Sequence, residues 1–435
     1  MEEQPYEVPG NWCWTYLKDV AQWGSGGTPS RKNPAFYEGN ILWVKTGELQ
    51  EDYIYDTEEK ISKEAIQKSS AKIFPVGTVL IAMYGATIGK TAILGVKAAT
   101  NQACACAVCN DSLYNKYLFY YLRFQKDSFI KQGKGGAQPN ISQDIIKKNY
   151  IPLPPKVEQQ RIVEQIESLF AKLDEAKEKV QEVIASIDDN IEALLYKAFT
   201  GQLTNDWRNS NIEIEKWEDT TLSEIVSGLK YGSSEKSDYE YKGTPILRIL
   251  NIGDGVIDFS DLKYMSEELK NSSHEVFEDD ILIIRSNGSR DLVGKCALVP
   301  KLQERYAYAS FLIRVKVTEK VLPEYLVRFI NSSMARAQMF DKAKSSLGIY
   351  NINSKELGAI KICVPSIEEQ KQILIYIQEF VNKEKRLQKI SEEMLGSIDR
   401  MKKSILAKAF RGELGTNNTG EKSAIEVFKT ILVEI

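Results

Sequence analysis

The segment Lys197-Ala198-Phe199-Thr200-Gly201-Gln202-Leu203 returns as Lys408-Ala409-Phe410-Arg411-Gly412-Glu413-Leu414, an offset of 211 residues. The same offset carries Leu153-Pro154 onto Val364-Pro365 and Glu158-Gln159 onto Glu369-Gln370, so residues 153–203 align with 364–414 without a gap. A period this long, present twice, describes a duplicated module rather than a solenoid of small units. It implies pseudo-two-fold symmetry, and so two similar sites presented to one partner.

Each module divides into a variable half and a regular half. In the first regular half, apolar residues recur at Ile162, Ile166, Leu169, Leu173, Ala176, Val180, Val183, Ile187, Ile191, Leu194 and Ala198. Steps of three and four predict one long helix with a near-heptad seam. The second copy continues through Ile373, Ile377, Phe380, Glu384, Leu387, Ser391, Met394, Ile398, Met401 and Ile405, with two polar interruptions. Pro154-Pro155 and Pro365 stand where a helix opens, and Gly201 and Gly412 where one stops. Each helix covers about 43 residues, roughly 65 Å. A lone helix of that length cannot hide its stripe, and the parsimonious partner is the other copy, antiparallel within the chain.

The variable halves, 1–152 and 205–363, alternate short β-like runs with turns. Ile41–Val44, Thr78–Met83 and Ala103–Val108 are the clearest strands of the first, and Ile246–Ile249, Asp280–Ile284 and Ser310–Val315 of the second. Helical stretches follow at 115–129 and 323–340. The expected class is α+β, with two α/β variable halves separated by two long antiparallel coiled-coil helices. The expected boundaries are 1–152, 153–204, 205–363, 364–415 and a tail at 416–435. A shared scaffold with unlike loops suggests two sites reading different targets.

A hydrophobic content of 43%, with 27% charged residues, suits a globular chain, and no run approaches eighteen apolar residues. Six dispersed cysteines read as reduced thiols, and the N-terminus shows no secretory stretch, so a cytoplasmic, non-membrane protein is expected. Net charge is only −3, but it is unevenly spread. Residues 158–192 hold ten acids and four bases, whereas 126–156 hold six lysines against Asp127 and Asp144. Binding to nucleic acid needs a local basic face, not a basic protein.

Three motifs invite catalytic readings that their spacing refuses. Gly85-Ala86-Thr87-Ile88-Gly89-Lys90-Thr91 has three residues between its glycines where a phosphate-cradling P-loop has four, and strand-like sequence follows. Asn33-Pro34-Ala35-Phe36 lacks the second proline of the amino-methyltransferase motif, and no cofactor loop accompanies it, so a proline-directed turn is expected. Cys104, Cys106 and Cys109 alternate along an Ala/Cys strand, which places two on one face and one on the other, as core residues rather than zinc ligands. His274 is the single histidine, which disfavours a Ser-His-Asp or Cys-His enzyme. No catalytic constellation and no metal site emerge.

What remains are Gly-rich polar loops suited to phosphates and base edges. The first half offers Ser25, Thr28, Ser30, Arg31 and Lys32, then Lys90, then Lys131, Lys134, Gln138 and Asn140. The second offers Lys230, Tyr231 and Ser233, then Arg285, Asn287, Ser289 and Arg290, then Lys344, Tyr350 and Asn351. Their recurrence at matching places in both copies strengthens a DNA-reading assignment.

The chain resembles the specificity subunit of type I restriction–modification systems. The likeness covers roughly residues 10–415. It rests on Gly26-Gly27-Thr28-Pro29-Ser30, Thr87-Ile88-Gly89-Lys90, Asn101-Gln102, Pro152-Leu153-Pro154-Pro155 with Glu158-Gln159 and Arg161-Ile162, and Lys197 to Leu203. Arg285-Ser286-Asn287-Gly288, Val293-Gly294 and Ala309-Ser310-Phe311-Leu312 repeat the pattern. The resemblance implies that each variable half is an α/β target recognition domain that reads one part of a split double-stranded DNA target. The helices would fix the gap and dock adenine methyltransferase subunits and a restriction translocase. S-adenosylmethionine, ATP and Mg²⁺ would be bound by those partners, and this chain would hold no cofactor. Two other classes stand against this reading. A methyltransferase or nuclease with its own active site needs a cofactor loop or metal-binding carboxylates that the sequence does not display. A coiled-coil structural adaptor leaves the divergent loops unexplained.

Overall fold

The structure, a computed structural model, describes residues 5–50, 52–133, 140–211, 216–270, 272–342, 344–346 and 349–424. The chain forms two compact units, Met1–Val180 with Glu393–Ile435, and Gln181–Glu392.

In the first unit the strands Ala21–Ser25, Cys104–Cys109, Val79–Ala82, Thr91–Leu94 and Tyr53–Ile54 lie side by side in that order. Every neighbouring pair is antiparallel except the last. Val79-Leu80-Ile81-Ala82 is buried on both faces, as a continuous apolar run requires. Alternation along the Ala/Cys strand sends Ala105 and Ala107 toward the helix-side core with Tyr117 and Leu118. Cys104 and Cys106 face the opposite core with Leu80 and Leu94. The cysteine reading therefore holds for these two: they are small core residues, and burial pushes the Cys106 thiol up to about 12. A second, smaller sheet contains Ile41–Val44 beside Ala98–Thr100.

The second unit repeats this order with Val226–Tyr231, Leu312–Val317, Ile281–Ile284, Cys296–Leu298 and Gly255–Val256, again with only the last pair parallel. Pro245–Leu247 pairs in parallel with Ala307–Tyr308, matching the smaller sheet of the first unit. The helical stretches expected at 115–129 and 323–340 are each broken in two, as Asn115–Phe124 with Lys126–Gln132 and Pro323–Asn331 with Ser333–Lys342. At the second break Ser332 is extended (φ −71°, ψ 155°), and its hydroxyl donates to Phe329 O at 2.6 Å. That local bond competes with the helical backbone.

The long helices run Lys156–Phe199 and Ile367–Phe410, 44 residues each. No helix among the described residues is long and apolar enough to cross a membrane. Gly201 and Gly412 end the long helices at φ 77° and 75°, the left-handed region where a Cβ is costly. Within each unit the helix segments run antiparallel. In the first, Ile162, Ile166 and Phe170 share a core with Leu406, Ala409 and Phe410, and Lys402 pairs with Asp174. In the second, Leu195, Ala198 and Phe199 share a core with Ile373, Ile377 and Val381.

The second helix corrects the expected seam. Val381, Glu384, Ser391, Ile398 and Leu406 are buried, whereas Leu387, Met394 and Met401 are 37, 48 and 52% exposed. The row Ile377, Glu384, Ser391 and Ile398 keeps the seven-residue spacing and is buried, while the second expected row, Leu387, Met394 and Met401, is exposed, so the middle of this helix buries a narrower stripe than the two-row seam.

The repeated Glu-Gln pair fastens each long helix to its recognition domain. Gln159 accepts from Tyr114 N at 2.7 Å and donates to Ser112 O and Pro154 O at 2.8 and 3.0 Å. Gln370 accepts from Leu322 N at 2.8 Å and donates to Lys320 O and Pro365 O, both at 2.9 Å. Glu158 accepts from Trp12 Nε1 at 2.9 Å and from Asn417. Glu369 accepts from Thr204 Oγ1 at 2.6 Å and Arg208 at 2.7 Å. In each unit, residues just beyond one long helix thus close over the start of the other.

Candidate nucleic-acid interface

In the first unit Ala21–Ser25 and Val79–Ala82 end, and Thr91–Leu94 and Cys104–Cys109 begin, at one edge of the larger sheet. Their loops therefore share that edge. A Cβ on Gly26 would fall 1.8 Å from Thr100 O, so only glycine lets the chain lie this close. Gly27 N then donates to Thr100 O at 2.9 Å, Trp43 Nε1 to Gly27 O at 3.0 Å and Tyr37 OH to Pro29 O at 2.7 Å. The pinned loop leaves Thr28, Ser30, Arg31 and Lys32 exposed, with Ser25 half-buried at its base. Thr28 Oγ1 bonds Gln102 Oε1 across the loops.

Arg31 is partly engaged. Its guanidinium lies 4.1 Å from the Tyr37 ring centroid and 2.6 Å from Glu59. The hydrogen bond from Arg31 holds the Glu59 carboxyl at about 2. Lys45 reaches Glu58 and Glu59 at 2.9 and 3.0 Å. The Arg31 side chain is 57% exposed, so the pair is open to water and a phosphate can replace Glu59 at small cost. Lys90 closes the turn between Val79–Ala82 and Thr91–Leu94, which is a 3₁₀ turn followed by a strand, as expected, and not a P-loop. Asn140 bridges Tyr84 at the same edge. Lys131 sits apart, exposed in the last turn of Lys126–Gln132. Lys134 and Gln138 lie outside the described residues.

The second unit brings its candidates together more tightly. Arg285 stacks 4.4 Å from the Tyr231 ring centroid, and its Nε donates to Asn351 Oδ1 at 3.4 Å. Tyr231 OH accepts from Ser354 N at 3.0 Å. Ser286–Asn287 pairs with Ile349–Asn351, which sets Asn287 opposite Tyr350. Asn287 Oδ1 accepts from Ser289 N at 2.8 Å and shapes the exposed turn carrying Arg290, which stacks 4.7 Å from Phe340. Ser233 is buried, its N donating to Tyr308 O at 2.8 Å, and Lys230 is exposed one residue before Tyr231. The backbone of Lys344 pairs with Asn351.

The two edges match bond for bond. Gly27 N to Thr100 O corresponds to Ser233 N to Tyr308 O, and Asn101 N to Val44 O to Ala309 N to Leu247 O. Met83 N to Ala103 O corresponds to Arg285 N to Phe311 O, and Ile141 N to Met83 O to Ile352 N to Arg285 O. Two basic residues escaped the sequence reading, Lys45 and Arg248, which open equivalent 3₁₀ turns. Their signal was a basic residue followed three positions later by Glu48 or Asn251, whose side chain caps the basic residue's own N–H.

Known proteins carry the same arrangement. The family described as type I restriction modification DNA specificity domain matches residues 9–185 and again 214–393. The type I restriction enzyme EcoKI specificity subunit of Escherichia coli (strain K12) is 29% identical, with 98% of this chain and 96% of that protein covered. The StySPI specificity subunit of Salmonella potsdam is 25% identical over 94% of this chain and 90% of its own length. The crystal structure of the HsdS subunit from Thermoanaerobacter tengcongensis superimposes with a TM-score of 0.63 at 20% identity, covering 95% of this chain and all of that one. With two matched domains, one fold repeated in two units and a long helix following each recognition domain, the chain belongs to the family of type I restriction–modification DNA specificity subunits.

Proposed function

We propose that this chain is the sequence-reading subunit of a type I restriction–modification complex, and that each recognition domain reads one part of a bipartite duplex through its sheet-edge loops. One observation carries this reading. The same backbone hydrogen bonds hold the loops at both edges, while the side chains they present differ. A fixed frame with exchangeable side chains suits direct readout, in which phosphate contacts position and base-edge contacts specify. Arg285 with Asn351 and Tyr231 is the best-formed reading cluster.

The long helices act as spacer and as docking rails for adenine methyltransferase subunits and a restriction translocase. Exposed Tyr196 and Ile375 on them offer apolar footholds. Methyl transfer from S-adenosylmethionine and ATP/Mg²⁺-driven steps belong to those partners. The experiment combines the chain with a type I methyltransferase subunit and selects bound duplexes from a random pool. A split consensus, with adenine methylation only when both proteins are present, is the expected result. Methylation or cleavage by this chain alone would overturn the division of labour. Absence of any selected sequence would favour a structural adaptor.

A further inference from the structure

The bond-for-bond match of the two edges lets side chains be compared position by position. The turn opened by Lys45 is the turn opened by Arg248: Glu48 N bonds Lys45 O, and Asn251 N bonds Arg248 O, both at 2.9 Å. Its tip is Gly47 in the first unit and Leu250 in the second. Likewise Ala103 O accepts from Met83 N as Phe311 O accepts from Arg285 N, each at 2.9 Å. The first edge thus carries glycine and alanine where the second carries leucine and phenylalanine. Leu250 is 71% exposed and Phe311 56%. Large apolar side chains left in water at matched loop tips earn no folding free energy there.

Leu250 and Phe311 line a hollow of about 320 Å³ with Ser233, Glu235, Lys236, Arg248 and Ser310. Arg248 donates to Asp261 at 2.8 Å, yet its Nε is buried without a hydrogen-bond partner. Phe311 is one backbone hydrogen bond from Arg285, at the centre of the reading cluster. Apolar lips around hydroxyls and a guanidinium fit a surface that is polar with isolated methyl groups. The major-groove edge of a thymine-containing duplex is such a surface, because thymine alone presents a C5-methyl.

We propose that Leu250 and Phe311 are specificity-determining residues of the second recognition domain, and that they read thymine C5-methyl groups in its half-site. The first domain, with Gly47 and Ala103 at these positions, does without this readout. This inference rests on the DNA-reading function proposed above.

The test uses the chain assembled with a type I methyltransferase subunit and the duplex selected for it. Each thymine is replaced singly by deoxyuridine, which removes one methyl and leaves base pairing intact. Binding should weaken about three- to fivefold at one or two thymines of a single half-site, the worth of one methyl-sized group. Thymines of the other half-site should be indifferent. In Leu250→Gly and Phe311→Ala, both at exposed positions, deoxyuridine should cost nothing further and cytosine should be better tolerated at those positions. A half-site without thymine, or variants that keep the full deoxyuridine penalty, overturns the inference. Variants that lose the methyltransferase subunit while keeping their base preference also overturn it, making the patch a protein-docking face. Failure to select any sequence would instead strike the DNA-reading function itself.

Discussion

Arg285 is held from two sides, by the Tyr231 ring and by Asn351, before any ligand arrives. A preordered guanidinium loses less freedom on meeting a guanine edge than a free one, and its planar fork is what a lysine lacks. Arg285→Ala should therefore flatten the preference at one base position, with a loss of about 1–3 kcal/mol on the preferred duplex. Arg285→Lys should restore little of it. A uniform loss over all duplexes in a competition assay would assign Arg285 to phosphate. Gly232 makes a different demand. A Cβ there would meet Tyr308 O at 2.2 Å and Ala309 O at 2.4 Å, both backbone atoms that cannot swing away. Gly232→Ala should lower stability by about 1–3 kcal/mol, read by thermal melting. Gly228→Ala, with nothing within 4 Å of the new atom, is the control. Arg285 and Arg290 could be named as candidates from the sequence because each sits in a short polar, Gly-containing turn. That Tyr231 would stack beneath Arg285 was not, since the strands bearing them come together only in the folded sheet. Lys45 and Arg248 escaped because a 3₁₀ turn has no periodicity to read.

At the level of the element, the glutamine latch ties each long helix to the loops before the recognition-domain helices. Gln370→Leu removes three hydrogen bonds at a fully buried position and strands Leu322 N, Lys320 O and Pro365 O. A buried polar group left unpaired costs about 1–3 kcal/mol, so denaturant unfolding should report a loss of at least about 2 kcal/mol. A change below about 0.5 kcal/mol would mean that water replaces the amide. Glu384 argues the opposite sign. It is buried in the helix seam, and its Oε2 has no hydrogen-bond partner. Glu384→Leu should stabilise the chain by about 1 kcal/mol, because a buried carboxylate without full hydrogen bonding costs more than an apolar side chain of similar size. The long helices, their glycine stops and most of the first seam were legible because a 44-residue amphipathic repeat averages over local accidents. The second seam was misread at Leu387, Met394 and Met401, because the apolar pattern adds this row beside Ile377, Glu384, Ser391 and Ile398, and only the latter row is buried. The break at 332 goes with a local bond from the Ser332 hydroxyl to Phe329 O that the apolar pattern does not encode.

For the molecule as a whole, the chain passes between its two compact units twice, at Val180–Gln181 and at Glu392–Glu393, and both crossings lie inside a long helix. The duplication and the two long helices followed from the repeat at an offset of 211 residues. The bases that the proposed function calls for did not follow from it, because the side chains of the candidate loops differ between the copies. Inserting seven residues at each crossing, in phase with the seam, lengthens both helices by about 10.5 Å, and hence the span by roughly three base pairs at 3.4 Å each. Selection of bound duplexes should then return both original half-sites, separated by a gap about three base pairs longer. Inserting four residues instead rotates the seam as well as lengthening it, and should weaken binding at every gap. If the seven-residue insertion leaves the gap unchanged, the distance between half-sites is set by the docked methyltransferase subunits and not by these helices.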